Sequence, residues 1–230
     1  MTVTLVWKKC SEMYSIKACH SSSGSMASCV TSCCNLILSA TALYSSYKLF
    51  KNHRGPSVGF FLLGLSAALC IVHPSSSALT SLQRDAEWAG EVLAPVLVSF
   101  DLLWLSQDHN TAHILLCGSC LLLGLSDWLS ADAFLVMNRC LGLSSLSCSL
   151  TVCLFAGNAS GALGGVALSL PLLVFQRVGT KASPSLISPA ATIGLTQWLL
   201  KGSLSIGCWA STRALDTFLL DVTDRSNIGF

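Results

Sequence analysis

The stretch "AEWAGEVLAPVLVSFDLLWLSQDHNTAHILLCGSCLLLGLSDWL", residues 86–129, decides what kind of protein this is. It contains two apolar segments, 86–105 and 111–129, on either side of a five-residue polar break. A bilayer-spanning helix needs about 20 mostly apolar residues at 1.5 Å rise each. Both segments meet that length, and the break is long enough only for a turn. Trp88 and Trp104 stand near the two ends of the first segment, as interfacial anchors would.

Similar segments recur along the chain. Spans are expected at 27–47, 57–72, 86–105, 111–129, about 138–156, 161–175 and 189–210. The last is less apolar than the rest, so six spans with 189–210 lying in the interface is the alternative. Composition supports the same class over the whole length. Of 230 residues 52% are hydrophobic and 10% charged, against about 25% charged in soluble domains. Mean hydropathy is +0.65. The fold class is therefore all-α, a polytopic transmembrane helical bundle. Residues 1–25 read as a poorly structured extension, 26–221 as the bundle and 222–230 as a tail. Met26, just before the first span, is a second candidate start of translation. A formal net charge of +2 gives no signal for nucleic acid.

Most of the twelve cysteines, among them Cys33, Cys34, Cys70, Cys117, Cys120, Cys140, Cys148, Cys153 and Cys208, lie inside apolar runs. They read as small buried residues rather than a disulfide framework. The loop after the first span carries Lys48, Lys51 and Arg54 and no acid. The positive-inside rule places it in the cytoplasm, with the N-terminus outside and, for seven spans, the C-terminus inside. Two spans are short, which fits the thinner bilayer of the endoplasmic reticulum or early secretory pathway.

Several constellations could carry chemistry. Glu87, Glu91 and Asp101 share an arc of about 80° on the third span. They could line a cation or proton path. Alternatively they are acids near helix ends, and the two glutamates suit the dipole of a first turn. Asp101 stands near a C-terminal end, where the dipole opposes it. On the fourth span His113, Cys117, Cys120, Gly124 and Asp127 share one face. One straight helix presents too few convergent ligands for a metal, so this face reads as helix packing. Gly157, Gly161, Gly165 and Ser169, each four apart, form a clearer packing stripe. The sequon Asn158-Ala159-Ser160 falls in the tight turn beside it and is expected to carry no glycan.

Lys201 stands 12 residues into the seventh span, where a cation seeks a buried anion. Asp101 is the expected partner, about 7.5 Å away in depth, with Glu91 second at about 10 Å. Nothing resembles a P-loop, a dinucleotide fingerprint or a nucleophile elbow.

Four segments, "GFFLLGLSAAL" (59–69), "PVLVSFDLLWLSQDHNTAHILL" (95–116), "FAGNASGALGGVAL" (155–168) and "GCWASTRALDTFLLD" (207–221), resemble in that order segments of the transmembrane protein 276 family. The resemblance covers roughly 26–221. It implies a multi-pass membrane protein and carries over no catalytic residue and no cofactor. The sequence departs from the family at His113, Cys117 and Cys120, which weakens a metal reading further. The expected role is a non-enzymatic membrane component whose partners are the lipid bilayer and other helices, by self-association or with membrane partners. The alternative is a small transporter or ion path lined by Glu91, Asp101 and Lys201. A lipid enzyme, resting on buried acids and His73, comes third.

Overall fold

The computed structural model describes residues 24–51, 53–71, 77–126, 128–174 and 189–228. His73, Asp127 and most of the N-terminal extension lie outside them. Among the described residues there are seven helices and no strands: α1 (Gly24–Leu49), α2 (Arg54–Ile71), α3 (Ser77–Leu105), α4 (His109–Leu125), α5 (Ala131–Phe155), α6 (Ala159–Val174) and α7 (Pro189–Ile228). Arg54–Ile71, Ser81–Leu105 and Asp132–Phe155 are long and apolar enough to cross a membrane; α4 and α6 are apolar but shorter. The expected helical bundle is borne out.

The bundle is built around α3, which touches α2, α4, α5, α6 and α7. That helix is apolar on two sides. Ala94, Val98 and Leu102 pack with Leu63, Leu204 and Cys208. Val92, Val96 and Leu103 pack with Ala112, Leu122 and Leu141. The outer surface is apolar as well, with Ile37, Ile114, Leu121, Leu143 and Leu163 exposed. A chain apolar inside and out is matched to lipid. Trp104 is exposed near one end as an anchor would be. Trp88 turns inward instead and lies 5.3 Å from the Phe134 ring.

The last helix differs most from the sequence expectation. The apolar run ends near residue 210, but α7 continues to Ile228, through residues read as a tail. Several polar contacts tie it to α1. Lys201 meets Asn35, the Ser45 hydroxyl donates to the Cys208 carbonyl at 3.4 Å, and Lys48 pairs with Asp216. Pairing along both helices lets them stay helical where hydropathy falls.

Small residues set the closest approaches. A Cβ built on Gly164 would stand 2.8 Å from the backbone nitrogen of Ser211 on α7, and one on Gly161 would meet Cys153 of α5 and Ala214 of α7. One on Gly165 would meet Ser149 of α5, and Ser169 is fully buried. Gly161, Gly165 and Ser169 thus lie in the interior as the stripe implied. Gly157 does not belong to it. No neighbour lies within 4 Å of its Cβ position, and its φ is +67°.

Gly157 is a turn residue, and the turn occurs twice. Gly157 N–H donates to the Leu154 carbonyl and Asn158 N–H to that of Cys153. Fifty residues earlier, Gln107 N–H donates to Trp104 and Asp108 N–H to Leu103. Both are Schellman motifs, with the left-handed residue just past the helix. Each is followed at once by a side-chain cap on the next helix: Asp108 accepts from Thr111 N–H at 3.2 Å, Asn158 from Gly161 N–H at 3.1 Å. The Asn158 amide nitrogen also donates to the Ala214 carbonyl at 3.1 Å, so both ends of the sequon side chain are engaged.

The two corners differ in one respect. Gln107 adopts φ +66°, a conformation costing about 1–2 kcal/mol for a residue with a Cβ. Gly157→Ala is therefore expected to lower stability by about 1 kcal/mol, and Gln107→Gly to raise it by a similar amount. Thermal unfolding in detergent checks both signs.

Candidate functional site

Polar groups collect at the two ends of the bundle. At the end away from the basic loop, Lys201 of α7 reaches inward between α1 and α3. Its Nζ lies 2.5 Å from Asn35 Oδ1 and 3.5 Å from Glu87 Oε1. Asn35 is buried and Glu87 about one third exposed. Ser205, one turn along α7, is buried on the same side and donates to the Lys201 carbonyl. Glu91, one turn deeper than Glu87, feels both the Glu87 and the Lys201 charge. Beside it Gln83 donates to the Cys70 sulfur at 3.0 Å.

At the opposite end Asp101 Oδ2 lies 2.9 Å from His53 Nδ1. His53 is 4% exposed and its Nε2 has no hydrogen-bond partner among the described residues. Asp101 also lies over the first turn of α2: a Cβ on Gly55 would be 3.2 Å from its Oδ1. A carboxylate there is favoured by the positive end of the α2 dipole. The dipole of its own helix opposes Asp101, and that of the next helix favours it. Ser46 and Ser57 reinforce the corner, each hydroxyl donating to the other's carbonyl at 2.8 and 2.9 Å.

The expected pair Asp101–Lys201 is not what the structure brings together. Lys201 lies level with Glu87, and Glu87 precedes Asp101 by fourteen residues, roughly 21 Å of helix rise. The expectation placed Lys201 near the bilayer midplane because it took the span as 189–210. Since α7 runs to Ile228, the lysine belongs nearer one end. Between the two clusters Leu63, Ala94, Val98, Leu204 and Cys208 are each 2% exposed or less. Glu91 and Lys201 share one cluster; Asp101 stands in the other, across a mainly apolar layer. Sequence reasoning missed His53, Asn35 and Glu87 as partners. The one available signal for His53 was its place in "KNHRG", beside the first turn of α2.

Beyond His113, the α4 face carrying Cys117, Cys120 and Gly124 is turned outward rather than packed against another helix. His113, Cys117 and Cys120 are exposed, and nothing lies within 4 Å of a Cβ on Gly124. His113 Nδ1 meets the His109 carbonyl at 2.5 Å, and its ring stands 5.7 Å from that of Trp104. Among the described residues no three His, Cys, Asp or Glu side chains converge as metal ligands would. In the corner before α4, the Thr111 hydroxyl and backbone N–H hold the Asp108 carboxyl below the usual carboxylate range.

Comparison with known proteins gives one group of relatives. No family model matches the chain, and no solved structure matches it. Transmembrane protein 276 of Mus musculus is 27% identical over 183 residues, covering 80% of this chain and 90% of that protein. The Bos taurus protein of that name is 28% identical over 183 residues, with the same coverage. The Homo sapiens one is 27% identical over 187 residues, covering 81% and 92%. The resemblance read from the four segments is borne out.

Proposed function

From the premise that this chain is a relative of transmembrane protein 276 and a multi-pass membrane protein, we propose that it is a non-enzymatic component of the endoplasmic reticulum or early secretory membrane. One observation carries this reading. The polar groups are matched in pairs at the two ends of the bundle, Lys201 with Asn35 and Glu87, Asp101 with His53. The layer between them is mainly apolar, and its buried hydroxyls, Ser99 with Ser145 and Ser45 with the Cys208 carbonyl, are bonded within the bundle. An ion path lined by Glu91, Asp101 and Lys201 would need polar groups free to meet an ion through that layer. The shorter helices favour that compartment. The α2, α4 and α6 helices have 18, 17 and 16 residues, about 24–27 Å at 1.5 Å per residue. The endoplasmic reticulum core is about 27 Å thick.

Partners, including further copies of the chain, are proposed to meet the lipid-facing sides of α4 and α5, where Leu121, Val136, Leu143 and Leu154 are exposed. The glycines of α6 already hold α5 and α7.

Purified protein reconstituted in sealed vesicles tests the reading. Proton, sodium and potassium fluxes are expected to equal those of empty vesicles. A protein-dependent flux lost in Glu91→Gln would overturn it in favour of the transporter.

A further inference from the structure

A cavity of about 490 Å³ lies where the end of α3, the start of α4, the end of α5 and the side of α7 meet. It falls in the 300–1,000 Å³ range of small-molecule sites. It is separate from both polar clusters described above. Its walls are apolar: Leu103, Val152, Phe155 and Phe218. Phe155 is 91% exposed, so one wall stands open to the outside.

Three of the polar groups around it offer acceptors, beside the Ser147 hydroxyl and the Cys148 thiol. The Ser106 hydroxyl donates its proton to the Leu103 carbonyl at 2.8 Å, and the Thr151 hydroxyl to that of Ser147 at 2.8 Å. Thr111 directs both its hydroxyl and its backbone N–H at Asp108. With these protons committed, the hydroxyl oxygens of Ser106 and Thr151 present only lone pairs to the cavity. Asp108 adds an exposed carboxylate, which keeps acceptor sites beyond those Thr111 fills. The Asp108 carboxylate repels phosphates and carboxylates, and with the hydroxyl lone pairs it complements a cation with several N–H donors. The apolar walls complement a hydrocarbon chain attached to it.

We propose that this cavity binds a long-chain primary amine, its ammonium held by Asp108, Ser106 and Thr151 and its alkyl chain lying between Phe155 and Phe218. Binding involves no covalent step. An amine without a phosphate is favoured over an aminophospholipid, whose phosphate adds a second anion near the Asp108 carboxylate.

The test measures binding of radiolabelled octadecylamine at neutral pH to the full chain in phosphatidylcholine nanodiscs. Two variants accompany it. Asp108→Asn keeps the helix cap, since Asn caps as well as Asp; Thr151→Phe fills the cavity and leaves the charge. Saturable binding is expected, weakened about tenfold or more by Asp108→Asn and abolished by Thr151→Phe, with both variants unfolding at the wild-type temperature. N-octadecylacetamide should not compete. Equal binding by wild type and Asp108→Asn, or competition by the acetamide, would show an apolar groove without ammonium recognition and overturn the proposal. So would stronger competition by phosphatidylethanolamine than by the amine.

Discussion

Gly164→Leu is expected to abolish the folded protein, while Gly124→Leu and Gly202→Leu leave it intact. At Gly164 the first added carbon would already stand 2.8 Å from a backbone nitrogen of α7, which cannot swing aside as a side chain can. Overpacking typically costs about 1–3 kcal/mol, and more where backbone must move. We expect about 3 kcal/mol or more here. A Cβ on Gly124 or Gly202 has open space around it, so those changes alter only helix propensity, in the favourable direction by up to about 1 kcal/mol. Size-exclusion profiles and melting temperatures in one detergent read out all three. A monodisperse Gly164→Leu melting with the wild type would show that α6 and α7 are not in backbone contact.

Lys201→Met comes second in size. It leaves the buried Asn35 amide and the Glu87 carboxylate without their cation. Removing one partner of a fully buried pair costs about 3–5 kcal/mol. Glu87 is a third exposed, so roughly 2 kcal/mol is expected. The double change Asn35→Leu with Lys201→Met should recover part of the loss, because the two side chains touch and their effects should not add. The pair Asp101→Asn with Lys201→Met should be additive. Recovery in the second pair and none in the first would restore the Asp101–Lys201 pairing.

The helix-by-helix layout was legible because it depends on quantities the sequence carries directly. Scarcity of charge and runs such as 86–105 and 111–129 set the number and order of the helices. The breaks at "SQDHN" and "AGN" set the corners. Contacts between helices were less legible. A stripe four residues apart marks one face, that of Gly161 and Gly165. Yet α6 lies between two helices, so Gly164, on a different face, makes the closest approach to backbone. Depth was misjudged at Lys201 for a related reason. Hydropathy treats Arg213 and Asp216 as the end of a span. It cannot know that Asp216 meets Lys48, or that Arg213 lies 5.2 Å above the Trp209 ring. Asp101 was recognised as anomalous for its own helix. Its explanation required knowing that α2 begins beside it, a matter of tertiary arrangement.

The duplicated corner bears on how the chain enters its membrane during synthesis. In hydrocarbon an unpaired backbone group costs several kcal/mol, so a helix end is the vulnerable part of a newly inserted segment. At Trp104–Asp108 and at Leu154–Asn158 the ends of one helix and the start of the next are joined within a few residues by their own N–H and carbonyl groups and one side-chain cap. The backbone bonds at both corners are local, and at the second the Asn158 amide nitrogen also reaches the Ala214 carbonyl of α7. The α3–α4 and α5–α6 hairpins can therefore each leave the translocation machinery as a closed unit. Assembly then reduces to docking these two hairpins with α1 and α2, followed by the late arrival of α7, which closes against α1 from the far end of the chain.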